Sequence, residues 1–327
     1  MKKIMVAVSI MAAVLMTSCG GKQDVNGWYS DFAAAKKTAQ AKNKNILLFV
    51  NSDFDDDGNE AGVKAVLSKE FSNALKGKYV LVHFDFTNMQ SVLSDPNAEI
   101  TSKEQKALEA RRTMMKKQFK IADIYTVQAT PSITLLTKDG YFASALNCEY
   151  TNESAAGYIS LVNDDAKYVD IVNEMVAKTK KGSNTDKVNS IVQLHDSMME
   201  THRIAMADLV RKAVQMDKKN ASESMDKMIN TLAGIEAYEK LVDGSKEEAA
   251  KVYAHYAEDS RLDKENAQML YYTAANIING TGTDNIPQIK LYLEKAVAID
   301  PESEISVQIN KILEQIAQMV TPPEENK

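Results

Sequence analysis

The sequence predicts an α/β domain followed by an all-helical domain, and three observations carry that prediction. Residues 46–50 are five apolar residues in a row that end in a polar, aspartate-rich stretch, the pattern of a strand buried on both faces. Helical and strand-like segments alternate from Trp28 to Leu146. From about residue 152 to 320 the apolar spacing is helical nearly throughout, cut into segments by polar or glycine-containing breaks, with no convincing strand.

In the first half, residues 28–43 predict a helix. Trp28, Phe32, Ala35 and Ala39 fall at i, i+4, i+7 and i+11 on one stripe, and Lys36, Lys37, Lys42 and Lys44 fall outside it. The buried strand 46–50 follows. Residues 61–76 predict a second helix, with Val63, Val66, Leu67, Phe71, Ala74 and Leu75 on or near one face, and 79–86 a second apolar strand. Residues 88–100, with Pro96, read as a loop. Residues 102–119 read as a helix with Ser102 as its cap and Gln105 three positions on. Pro131 stands at the entrance of a strand, Lys138-Asp139-Gly140 supplies a hairpin turn, and 141–146 is the return strand. A parallel pair of strands plus an antiparallel hairpin, with helices on both faces, fits this order.

In the second half the helical segments run over 153–180, 185–217, 221–242, 246–259, 264–279, 285–299 and 303–319. Short turns between them predict a bundle or a repeat-like array. Leu293, Ala296 and Pro301, following the helix at 264–279, resemble one degenerate tetratricopeptide repeat. Residues 321–327, with Pro322-Pro323 and Glu324-Glu325, are expected to be a disordered tail.

Composition narrows the function. The 327 residues suffice for about two domains, and 44% hydrophobic with 26% charged residues is ordinary globular composition. The formal net charge of −6 argues against nucleic-acid binding, which wants a basic face. At the N-terminus, Lys2-Lys3 and an apolar run over 4–15 form a targeting signal, too short to span a bilayer. Leu15-Met16-Thr17-Ser18-Cys19-Gly20 resembles the lipobox of bacterial lipoproteins, with Met16 where leucine is usual. The resemblance implies a signal peptide over 1–18, a lipid on Cys19, a linker over 19–27, and a place in the bacterial cell envelope, membrane-anchored on its periplasmic or outer-surface side. The chain has two cysteines, Cys19 and Cys148. With Cys19 acylated, the one remaining thiol cannot close an intramolecular disulfide.

Asn51-Ser52-Asp53-Phe54 after the first strand, Asp85-Phe86 at the end of the second, the helix 102–119, Thr130-Pro131 and Asp139-Gly140 occur in an order and spacing that resembles the thioredoxin superfamily, in particular its periplasmic thioredoxin-like members. The resemblance spans about residues 28–160 and leaves 161–320 as the helical domain. It places the two redox-cysteine positions on Asp55 and Gly58, with Phe54 as the preceding aromatic. It therefore implies a degenerate redox loop, with no thiol–disulfide enzyme activity expected. It also implies a cis Pro131 whose neighbouring backbone at Thr130 pairs with extended peptide, an edge that needs no cysteine.

Other candidate chemistry is weaker. Asp53-x-Asp55-x-Asp57-Gly58 matches the first half of a calcium loop, in which alternate carboxylates and a glycine wrap the ion. The closing glutamate is replaced by Lys64, and the plainer reading is an acidic loop capping the following helix. Cys148 is flanked by Asn147 and Glu149, with nothing cationic to activate it. His195 and His202 lie seven apart, outside the spacing of helical metal ligands, and His83 sits within a strand. The methionines of the helical half read as core filler. Gly-x-Ser-x-Gly, Walker and His-Glu-x-x-His patterns are lacking. The expectation is a lipid-anchored binding or scaffold protein with a protein or peptide partner and no cofactor. An accessory thiol protein acting through Cys148 with a partner, and a calcium-responsive module at Asp53–Gly58, are the alternatives.

Overall fold

The computed structural model describes residues 23–53, 57–93, 102–127, 129–147, 154–280 and 282–320. The expected signal peptide, Cys19, Phe54, Asp55, Cys148 and the tail 321–327 lie outside the described residues. The described chain is mostly helical, with one mixed four-stranded sheet. It divides into two compact units, the first reaching to Ala177 and also including Met198–Ala205, the second taking Lys178–Ser197 and the chain from Met206 on.

The first unit opens with α1 (Phe32–Lys42), β1 (Asn45–Ser52), α2 (Asp57–Val66), α3 (Lys69–Leu75) and β2 (Tyr79–Phe86). Then come α4 (Met89–Leu93), α5 (Ser102–Ile124), β3 (Ser132–Leu136), β4 (Phe142–Asn147) and α6 (Ala155–Lys178). The sheet order is β2-β1-β3-β4. β1 runs parallel to β2 and antiparallel to β3, and β3 is antiparallel to β4. β1 is therefore central, which is why its apolar run is continuous. Successive strand residues point to opposite faces. Leu47 and Phe49 pack with Trp28, Phe71, Leu81, Tyr158 and Val162 on one side. Ile46, Leu48 and Val50 pack with Ala35, Ala39, Met115 and Tyr125 on the other. The β3–β4 turn uses Gly140 at φ 83°, and the buried Tyr125 hydroxyl donates to its carbonyl at 2.6 Å.

Three local expectations change. The first helix begins at Phe32, because Asp31 caps it by accepting the Ala34 N–H at 3.1 Å. Trp28 lies before the cap, held by the Asp24 carboxylate on its N–H. Its ring stacks on Phe71 at 6.2 Å, and its indole N–H donates to Ser72 Oγ at 3.2 Å. The helix expected over 61–76 is two helices, since Ser68 caps α3 by accepting the Phe71 N–H. The expected loop 88–100 contains the short α4.

In the second unit, α7 (Asn184–Asp196) starts at a Ser183/Asp186 capping box. The helix expected over 185–217 breaks after α7. A 3-10 segment (Glu200–Met206) precedes α8 (Ala207–Met216). The break answers to packing in the first unit. There His202 is buried with its ring stacked on Phe142 at 3.7 Å, and Thr126 Oγ1 donates to Thr201 Oγ1 at 3.2 Å. Next come α9 (Met225–Val242), α10 (Lys246–Tyr256), α11 (Lys264–Ile278), α12 (Ile286–Ile299) and α13 (Glu304–Val320). Each of α8 to α13 packs on the next. Leu293 and Ala296 are buried on α12 in the core shared with Tyr271, Ala274 and Ala275 of α11. Gln268 of α11 fastens the following turn. Its amide donates to the Ala296 carbonyl at 3.0 Å and to Ser306 Oγ at 2.8 Å, and its oxygen accepts from Ser303.

Candidate functional site

The carboxyl ends of β1 and β2 meet the start of β3 on one rim of the sheet. Register pairs Asn51 with Asp85 and Val50 with Ser132. The Thr130–Pro131 bond, directly before β3, is cis. The hydroxyls of Ser52 and Thr130 are in hydrogen-bond contact, so the end of β1 and the residue before Pro131 touch directly. Beside them, Ser132 Oγ is buried without a hydrogen-bond partner, a condition that few polar groups in native structures share.

A second polar chain crosses the same rim. Asn51, itself buried, donates through Nδ2 to Asp85 Oδ1 at 3.1 Å, and its Oδ1 faces His83 Nε2. With the amide nitrogen committed to a carboxylate, the amide oxygen accepts, so His83 carries its proton on Nε2. Asp85 also accepts the Thr87 N–H at 3.0 Å and the Thr87 hydroxyl at 2.7 Å. The His83 ring lies 5.4 Å from Phe49 and 6.0 Å from Trp28. Burial there pushes its pKa below the usual value, against the opposing pull of Asp85 and Asp24. The imidazole is thus neutral at neutral pH. Its Nε2 bonds Asn51, away from Ser52, whose hydroxyl contacts Thr130 and the Asp53 carbonyl. A serine nucleophile needs a base in contact, and among the described residues the Ser52 hydroxyl has none.

Of the residues singled out in the sequence, Asp53, Thr130 and Pro131 fall on this rim. Asp57 and Gly58 open α2, with the backbone alone described. The Asp53 carboxylate accepts the Asn88 N–H at 2.8 and 3.0 Å, closing the turn after β2 where Asn88 takes φ 56°. Among the described residues, no group of three or more histidine, cysteine, aspartate or glutamate side chains is placed to hold a metal ion. His195 is buried on α7 with Nε2 against Thr231 at 3.0 Å and Nδ1 against Asp196 at 3.0 Å, while His202 belongs to the first unit. The His83–Asn51–Asp85–Thr87 chain was not anticipated. Its signal in the sequence is two apolar strands that both turn polar near their last residues.

Comparison with known proteins adds little. Residues 225–321 match a family described as "Uncharacterised protein C-terminal domain". A solved structure titled "DsbH Oxidoreductase" is similar at 23% identity, over 43% of this chain and 83% of that one, with a TM-score of 0.29. So low a score carries no argument about activity. Comparison with curated proteins finds no match.

Proposed function

We propose that this chain is a lipid-anchored protein of the bacterial cell envelope whose first unit is a thioredoxin-like domain without its dithiol, serving as a binding or scaffold element for a protein or peptide partner. The observation that carries the reading is the junction at the rim. The sheet order β2-β1-β3-β4 brings the end of β1 against Thr130, and the contact there is hydroxyl to hydroxyl. The sequence following β1 has Asp55 and Gly58 where the family has cysteines. The backbone beside Thr130 and Pro131 is the surface offered to extended peptide, Cys19 is the membrane attachment, and the helical second unit carries one tetratricopeptide-like pair at α11–α12.

Two measurements test this. Purified protein mixed with insulin and dithiothreitol leaves the insulin reduction rate at its uncatalysed value; thioredoxin-like acceleration overturns the non-catalytic reading. A photo-crosslinking residue in place of Thr130, activated in the native envelope, captures a polypeptide segment that binds the purified chain as a synthetic peptide. Capture of no segment that binds in isolation overturns the binding role.

A further inference from the structure

At the opposite end of the sheet from the rim lies a cavity of about 710 Å³ lined by four lysines, Lys42, Lys44, Lys69 and Lys76, and by one carboxylate, Asp24. The chain as a whole carries a net charge of −6, so a wall with four lysines runs against its overall sign, with Asp165 and Asp170 acting on Tyr79, which lies in the same wall. The fold gathers the lysines from distant points. Lys42 ends α1, Lys44 precedes β1, Lys69 opens α3 and Lys76 follows it. The parallel register that sets Asn45 against Tyr79 draws the two pairs together. Two of the four are held in place: Lys44 Nζ donates to the Lys76 carbonyl at 2.6 Å, and Lys76 Nζ to Asn73 Oδ1 at 2.6 Å. Lys42, Lys69 and Lys76 are exposed, and among the described residues none of the four has a carboxylate within ion-pair distance. Asp24 holds the loop, its Oδ1 accepting the N–H groups of Asn26 and Trp28, and offsets at most one of the four positive charges. Like charges kept this close without partners repel one another, and an anion that enters among them removes that cost.

Residues 23–27 form a further part of the wall and follow Cys19 after only three residues. Four residue steps span about 14 Å at most. An acylated Cys19 therefore keeps the Gln23 end of the 23–27 wall of this cavity within about 14 Å of the lipid anchor. Lysines at an anionic bilayer surface each contribute about a fivefold gain in binding, and several basic residues beside one lipid anchor form a two-signal membrane attachment. We propose that the cavity binds the phosphate groups of anionic phospholipid headgroups, holding the first unit against the membrane in a fixed orientation. This rests in part on the Cys19 reading above.

The test uses the full chain as isolated, reconstituted on vesicles of phosphatidylcholine alone or of phosphatidylcholine with phosphatidylglycerol. Acetylation by a water-soluble reagent is read by mass spectrometry at Lys42, Lys44, Lys69 and Lys76, against the exposed Lys251 and Lys290 of the second unit as references. Labelling of the four falls about fivefold or more on the anionic vesicles, relative to the references, and recovers at about 1 M salt, where the Debye length is near 3 Å. In the variant Lys42→Glu/Lys69→Glu, altered only at exposed positions, the difference between the vesicles disappears. Equal labelling on both vesicles overturns the proposal. Equal protection in detergent by inorganic phosphate, at the same phosphate concentration, overturns it in favour of a soluble anion. The mass of the N-terminal peptide reads Cys19 separately. Protection without an acyl group leaves the cavity and removes the anchor, whereas an acyl group without protection removes the cavity and leaves the anchor.

Discussion

The two units treat polar groups in opposite ways. In the helical unit several charges are paired and the buried Gln268 amide is saturated. Arg211 bonds Glu236 at 2.8 Å, and Glu236 also accepts the Tyr256 hydroxyl at 2.9 Å. Arg261 grips Asp259 at 2.6 Å while donating to the carbonyls of Val214 and Asp217. Gln268 uses both ends of its amide. The sheet unit instead carries Asn26 Oδ1, Gln118 Oε1, Ser132 Oγ and His202 Nδ1 buried without a partner. Stability in the helical unit comes from many satisfied links between neighbouring helices. The sheet unit tolerates unsatisfied groups, one of them, Ser132, on the rim read here as a binding edge.

The contrast is sharpest for substitutions that reach only one unit. The chain has a single tryptophan, Trp28, buried in the sheet unit, so its fluorescence reports that unit. Far-ultraviolet circular dichroism is weighted toward the helices of both. Phe71→Ala removes the ring stacked on Trp28 and destabilises the sheet unit by about 3–5 kcal/mol. The Trp28 transition in urea moves to a lower midpoint. Gln268→Ala removes the acceptor of the Ser303 hydroxyl and the amide donor to the Ala296 carbonyl and Ser306 Oγ, and costs the helical unit about 2–3 kcal/mol. Circular dichroism reports that loss while the Trp28 midpoint stays put. If Gln268→Ala shifts the Trp28 midpoint as far, the units do not unfold separately and the contrast fails.

Acid separates the units by a smaller margin. His83 and His202 have lowered pKa values, burial being the main cause in each. Below the ordinary histidine value of about 6.5 the unfolded chain binds more protons than the folded one. The stability they lend is therefore complete above about pH 6.5 and falls as pH drops toward their folded values. In the helical unit Asp259 and Glu258 are lowered chiefly by hydrogen bonds from Arg261 and Lys295. Their contribution is complete above the usual carboxylate range and is lost only as pH falls through and below it. Asp226, raised by burial, works in the reverse sense over that range. Titration from pH 7 downward thus changes Trp28 fluorescence first and the helical signal later; a simultaneous loss near pH 4 contradicts the assignment. At the small end, Glu294→Gln, which breaks the exposed Lys290–Glu294 pair, changes stability by less than about 0.5 kcal/mol. Millimolar calcium leaves the melting temperature unmoved, because the Asp53 carboxylate already holds the Asn88 N–H and a ligand must favour the folded state to raise it.

Much of this architecture was legible in the sequence. The unbroken apolar run at 46–50 announced a central strand, and helical periodicity beyond residue 152 announced the array. Thr130-Pro131 and Asp139-Gly140 marked the entrance and the turn of the hairpin. What escaped depends on partners distant in the chain. Trp28 completes a helical stripe in sequence, yet Asp31 caps the helix after it and the indole is claimed by Phe71 and Ser72. The 3-10 segment at 200–206 follows from a ring contact with Phe142, some sixty positions earlier. Asn51 and Asp85 become a pair only through the β1–β2 register, and the same register assembles the lysine cavity. Local pattern predicts elements; registers and caps decide which polar side chains meet.

The proposal is that the first unit is a thioredoxin-like domain without its dithiol. Asp55→Cys/Gly58→Cys tests it most directly, with dithiothreitol-driven insulin reduction measured beside the parent. The parent stays at the uncatalysed rate, and the double variant, folded as judged by unchanged circular dichroism and Trp28 fluorescence, accelerates the reaction at least tenfold. A folded double variant with no acceleration, or a parent that is active without the new cysteines, would contradict the account.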